Sequence, residues 1–220
     1  MGGHAGGDVA SQLVVDTLAD FAPTLVRDSS DDMAVEEERI IFCLRTMVQH
    51  AHAAVLAHAD RHPPLRGMGT TLVVAHLLLV PTPRLLLLNV GDSRAYLIRA
   101  STIAQLTRDH TLIDEYVREG RLTPAQAVRH PDRHILTRAM GLGPTIESDL
   151  FRSELLNGDL LLLCSDGLTK MLTDEAILQA VRPHRDHPAL ATRALIQAAL
   201  DAGGIDNVTV IGCAINGMPD

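Results

Sequence analysis

Leu160-Leu161-Leu162-Leu163-Cys164-Ser165-Asp166-Gly167-Leu168 is the stretch on which the reading of this chain turns. It is entered through the turn-like Asn157-Gly158-Asp159, and five apolar residues lead to a carboxylate and a glycine. Such a run reads as a buried strand, although periodicity alone leaves a buried helix segment open. Asp166 then leaves the core where the chain turns, and Gly167 lets backbone approach closely. Forty positions later, Gly203-Gly204-Ile205-Asp206-Asn207 opens a second apolar run, Val208 to Ile215, with its carboxylate at the start. If the two strands are antiparallel neighbours, the end of one lies beside the start of the other and the carboxylates meet. Converging carboxylates repel unless a hard cation or a shared proton lies between them, and a metal is the expected occupant.

The 220 residues suit a single domain, 1–220, large enough for a full core. Apolar residues make up 46%, against general disorder, while aromatics make up only 2%, so the core is aliphatic and base-stacking surfaces are scarce. The net charge of −8 argues against a nucleic-acid partner and suits divalent cations. Cys43, Cys164 and Cys213 lack metal-ligand spacing and are expected in the core of a protein from a reducing compartment. No stretch is expected to reach the apolar length of a membrane span, and no signal peptide is read at the N-terminus, so the expectation is a cytoplasmic protein without a membrane partner.

Along the chain, Met1 to Gly7 reads as a flexible terminus or a loop packed on a ligand, and a helix follows from Asp8, its expected cap, to near Pro23. Arg27 to Asp32 reads as a loop. Apolar residues at 40, 41, 44, 47, 48, 51 and 55 predict a long helix behind the acidic Glu36-Glu37-Glu38, stopped at Pro63-Pro64. Its histidines at 50, 52, 58 and 62 read as helix residues, with a metal role for the His58–His62 pair the less favoured alternative. Strands are predicted over 72–80, 85–90, 95–98, 146–156, 160–164 and 208–215, and Pro81-Thr82-Pro83 as a turn. Helices are predicted over 112–119, 124–128, 173–182 and 188–201. Grouped strands and grouped helices favour α+β layers over alternating units.

Seven motifs occur in order: Met1-Gly2-Gly3-His4 with Ala5 to Ser11, Gly67-Met68-Gly69-Thr70-Thr71, Gly91-Asp92-Ser93-Arg94, Leu106 to Thr111, His130-Pro131 through Thr137-Arg138-Ala139, Cys164 to Leu168, and Asp206-Asn207-Val208-Thr209-Val210. Together they make the chain resemble the metal-dependent protein phosphatases of the phosphatase 2C family, in their compact bacterial form. The resemblance implies a four-layer sandwich of two antiparallel sheets flanked by helices. It also implies a pair of Mg²⁺ or Mn²⁺ ions, with a third, weaker one in bacterial members, at one end of the strands, and a metal-activated water that attacks phosphoserine or phosphothreonine. Position by position, Asp166 and Asp206 match the carboxylates on one metal and Asp109 an aspartate toward a third. Gly167, Asn207, Gly2, Gly3 and His4 match residues beside the site, Asp92 a turn former with a structural role, and 112–138 the flap. The implied partner is a phosphorylated protein, the substrate of a bacterial Ser/Thr kinase.

Departures are equally legible. The family's first motif begins with an Asp-Gly whose Asp bridges both metals, whereas this chain begins at the Met, so the second metal is expected to be short of ligands. A start assigned inside the motif and a real truncation are both open; a truncation predicts unpaired sheet edges and self-association. Lys170 stands where relatives often carry an acidic or polar residue near the third metal, and its charge is expected to repel a cation. His134, where relatives often have Asn, is a mild change in the flap. The competing functional readings are a module of the same fold that binds a phosphoprotein or kinase without turnover, and an aspartyl phosphotransferase. The latter lacks the paired Asp-x-Asp it would need.

Overall fold

Apolar periodicity and turn chemistry divide the chain into seven α-helices and seven strands among the described residues. The computed structural model describes residues 6–25, 33–79 and 82–217. The helices are α1 (Gly7–Phe21), α2 (Met33–Arg61), α3 (Leu112–Arg118), α4 (Pro124–Ala127), α5 (Asp166–Thr169), α6 (Asp174–Val181) and α7 (Pro188–Asp201). The strands are β1 (Leu72–Leu78), β2 (Arg84–Val90), β3 (Arg94–Arg99), β4 (Thr102–Gln105), β5 (Asp149–Glu154), β6 (Asp159–Cys164) and β7 (Val210–Ile215). The chain groups into two compact units, residues 1–72 with 110–149 and residues 73–109 with 150–220.

In the second unit, β4-β3-β6-β7 form one sheet and β1-β2-β5 another. β6 runs antiparallel to both neighbours, with Cys164 opposite Arg94 on one side and Val210 on the other. Alternation sorts its side chains. Leu160, Leu162 and Cys164 join Tyr96 and Ile98 against Ile177 and Val181 of α6 and Ala191, Leu195 and Ala199 of α7. Leu161, with Ala95, Leu97 and Ile215, faces Leu85 and Leu87 of the second sheet. Both faces of β6 are therefore covered, and this is why its sequence runs apolar without a break. Asp159 starts the strand from a buried position: its carboxylate accepts Arg99 Nε and Nη2 at 2.8 and 2.7 Å and the Leu156 N–H at 2.8 Å. Burial alone would raise its pKa; those hydrogen bonds outweigh it and hold the carboxyl below its usual range.

In the first unit, α1 packs on α2. The predicted core positions of α2, Ile40, Ile41, Leu44, Met47, Val48, Ala51 and Val55, are all buried. By length and composition α2 could cross a membrane, with a mean hydropathy of 1.4 in its most apolar stretch, which corrects the expectation that no stretch approaches a span. Its apolar side is buried inside the unit, as in a core helix. His52, one of the four flagged histidines, accepts the Gly141 N–H on Nδ1 at 3.1 Å and faces the Gly143 carbonyl with Nε2 at 3.2 Å. His58 and His62 stack on each other, ring centres 4.1 Å apart. Thr70 of the second motif and Met140, just past the fifth, exchange both backbone hydrogen bonds, at 3.1 and 2.8 Å. Gly141 follows with φ +85°, and a Cβ there would stand 2.7 Å from the Met68 carbonyl oxygen, so glycine is required by conformation and by space. Arg138 and His110 both reach Asp149, at 2.8 and 3.3 Å.

Several boundaries depart from the sequence reading. α1 is capped by Gly6 in the left-handed region, not by Asp8, which sits in the first turn. β4 escaped the reading because it is a polar edge strand without alternation, joined to β3 through Ala100 at φ +52°. α5, a single turn, was missed because it is too short to show a helical period. Gly2, Gly3 and His4, the whole 27–32 loop and Pro81 lie outside the described residues.

A candidate cation site at the end of the four-stranded sheet

The row Arg94–Cys164–Val210 is the last of the β3–β6–β7 ladder, and polar residues gather just beyond it. Ser165 donates its N–H to Thr209 O at 3.1 Å, and Thr209 returns its N–H to Ser165 Oγ at 3.0 Å, so the exit of β6 is laced to the entry of β7. A Cβ on Gly167 would collide with the Asn207 carbonyl oxygen and stand 2.9 Å from its carbon. Only glycine permits that approach, as its place after the strand implied. α5 therefore lies directly against Asp206-Asn207. Asp206 is turned by its own backbone, its Oδ1 accepting the Asn207 N–H at 2.8 Å.

Asp166 and Asp206 do meet, as the antiparallel argument required, but on an ammonium. Lys170, one helical turn after Asp166, places Nζ 2.6 Å from Asp166 Oδ2 and 2.8 Å from Asp206 Oδ2. Lys170, whose charge was expected to oppose a cation, stands itself between the pair. Burial disfavours its charge, and the hydrogen bonds to Asp166 and Asp206 outweigh burial and raise its pKa above the ordinary value. In turn, the ammonium holds the Asp206 carboxyl below the usual carboxylate range.

Asp109 is held apart from this pair. Arg94 grips it with Nε at 2.9 and 3.1 Å from its two oxygens and Nη2 at 2.7 Å, and Gln105 Nε2 adds a donor at 3.1 Å. Arg94 Nη1 donates to the Tyr96 hydroxyl at 2.9 Å, so the fork is fixed from the core side. Asp92, two residues before Arg94, is partly buried; burial first, then the charges of Asp166 and Asp109, push its carboxyl up to about 6. Asp92 thus feels the site electrostatically, a role beyond turn formation that no local pattern in Gly91-Asp92-Ser93-Arg94 announces. Beneath it, Asn89 Nδ2 donates to the carbonyls of Arg108 and Gly91 at 2.6 and 3.3 Å, tying the two loops that carry Asp109 and Asp92. Burial pushes the Cys164 thiol up to about 12, so it is inert core.

Among the described residues no group of three or more His, Cys, Asp or Glu side chains converges as a ready metal cluster. The donor pair that does converge, two carboxylate oxygens on one cation position, has the hard-oxygen chemistry of Mg²⁺ and Mn²⁺.

The sequence matches the family described as protein phosphatase 2C over residues 1–201. It is 41% identical over 213 residues to the serine/threonine protein phosphatase PstP of Mycobacterium tuberculosis, covering 96% of this chain and 38% of that protein. It is 37% identical over 213 residues to the serine/threonine phosphatase stp of Listeria welshimeri, covering 96% of this chain and 80% of that protein. The chain thus spans well under half of the mycobacterial relative. Among solved structures, the catalytic domain of PstP in complex with two manganese ions superposes with a TM-score of 0.77 at 38% identity, covering 96% of this chain and 83% of that one.

Proposed function

The chain belongs to the protein phosphatase 2C family, and from that premise we propose that it hydrolyses phosphoserine and phosphothreonine esters on proteins, with Asp166 and Asp206 holding the divalent cation the reaction uses. The observation that carries this reading is the convergence of both Oδ2 atoms on a single cation position, 2.6 and 2.8 Å from Lys170 Nζ. Mg²⁺ or Mn²⁺ bound there would lower the pKa of the attacking water and offset charge on the phosphoryl oxygens.

The chain's own residues have separable roles in this reading. Ser165, Thr209 and Gly167 hold the two carboxylate-bearing segments in register, so that the liganding oxygens are preorganised. Asp92, coupled to Asp166 through space, adds negative field at the sheet end, which favours cation entry. Arg94 engages both oxygens of Asp109, so a third cation held there would share or compete for them. Phosphoproteins made by a bacterial Ser/Thr kinase are the proposed substrates, in keeping with the bacterial phosphatases to which the chain is similar.

The test is direct. Manganese-dependent release of inorganic phosphate from a phosphothreonine peptide is expected, with a loss of about a hundredfold or more in Asp166→Asn, the scale on which removal of an electrostatic stabiliser acts. Equal turnover by wild type and Asp166→Asn, or none by either, would sink the assignment.

A further inference from the structure

Lys170 is the only lysine among the 19 Lys and Arg residues of the sequence. It lies where two carboxylates from distant segments converge. Its place is set by the fold: α5 puts residues 166 and 170 on one face, the Lys170 N–H donates to Asp166 O at 2.8 Å, and its side chain extends across to Asp206. Oxygen–cation distances for Mg²⁺ or Mn²⁺ are about 2.1 Å, so an ion bound to both Oδ2 atoms would occupy nearly the same point as Nζ. Ammonium and divalent ion exclude each other there by volume and by charge. The four-carbon lysine stem is flexible enough to swing out, so the exclusion is a competition.

We propose that Lys170 is an internal competitor for the divalent cation: its ammonium holds Asp166 and Asp206 in liganding geometry while no metal is bound, and must leave both for the metal to enter. The proposal rests on the reading that these two carboxylates hold the cation. Two consequences follow. The metal-free site stays assembled, because the two carboxylates never face each other unneutralised. The apparent cation affinity is lowered by the fraction of molecules in which the lysine is in place, so the site fills only at a higher cation concentration.

The experiment is calorimetric titration of the full chain with Mn²⁺ alone. Lys170→Met, which keeps length and removes charge, is expected to bind at least about tenfold more tightly than wild type, a difference of about 1.4 kcal/mol. Lys170→Arg, which keeps the charge, is expected to stay within about threefold of wild type. Equal or weaker binding by Lys170→Met overturns the competition while leaving the metal reading intact. No binding by wild type and Lys170→Met alike overturns both. Should Lys170→Met not fold without metal, the wild type alone suffices, because its single ε-amine can be followed by mass spectrometry during acylation. Labelling of Lys170 is expected to be slow in EDTA and about tenfold faster in saturating Mn²⁺, as the amine is released from its carboxylates. An unchanged labelling rate overturns the proposal.

Discussion

Asp92 carries its charge at a cost that the rest of the site does not share. Its carboxyl is pushed from 3.8 to about 6 by burial and by the charges of Asp166 and Asp109. For an acid raised in this way, the native state binds its proton more tightly than the unfolded chain. The associated stability is complete below pH 3.8 and is lost as pH rises through about 6. Asp92→Asn removes the charge at constant size. In EDTA at pH 8 it is expected to be more stable than wild type by roughly 1–3 kcal/mol in urea unfolding, the gap shrinking toward zero as pH falls to about 4. A gap that does not change with pH would show that the carboxylate is not the strained group. The motif Gly91-Asp92-Ser93-Arg94 was legible as a turn, because glycine and aspartate are turn formers wherever they stand. The field at Asp92 was not, because it comes from residues 17 and 74 positions away.

At the scale of the element, the short helix α5 decides whether the two carboxylates can share an ion. It begins at Asp166, immediately past β6, and its second residue, Gly167, touches the Asn207 backbone. A methyl group at Gly167 has to displace Asp206-Asn207, since the obstructing atoms are main chain. Gly167→Ala is expected to cost about 1–3 kcal/mol of stability through overpacking, and to weaken Mn²⁺ binding as Asp206 moves off the shared position. Unfolding and calorimetry on the same variant check both; a stable variant with undiminished Mn²⁺ affinity would refute the role given to the close approach. Sequence carried half of this element. The Asp-Gly after an apolar run marked the exit and the need for a close neighbour, but a single helical turn has no period to read. That Lys170 lies on the Asp166 face and reaches Asp206 is therefore visible only in the structure.

For the molecule as a whole, each compact unit is assembled from two separated stretches, and β3 finds its partner β6 some sixty residues later. Pairings of that range define the sheet end where the carboxylates meet, so the site is a property of the completed ladder and not of any local segment. A cation bound by Asp166 and Asp206 together binds the folded chain and not the unfolded one. Mn²⁺ at a hundred times its dissociation constant is accordingly expected to raise stability by about 2.7 kcal/mol, with the gain absent in Asp166→Asn. Thermal unfolding in Mn²⁺ and in EDTA measures it; an equal gain in the variant would place the ion elsewhere. The amino-acid order by itself determined most of the strands and helices, β4 and α5 excepted, and which side of α2 is buried; it placed the end of β6 beside the start of β7 only on the condition, met in the structure, that the two pair antiparallel. Those features follow from apolar periodicity and turn residues, which act over a few positions. Only the tertiary structure decided that Lys170 takes the cation position, that Arg94 claims Asp109, and that Thr70 pairs with Met140. The partner of a polar group is set by where distant elements end in the ladder, and register is a long-range quantity that no short window of residues encodes.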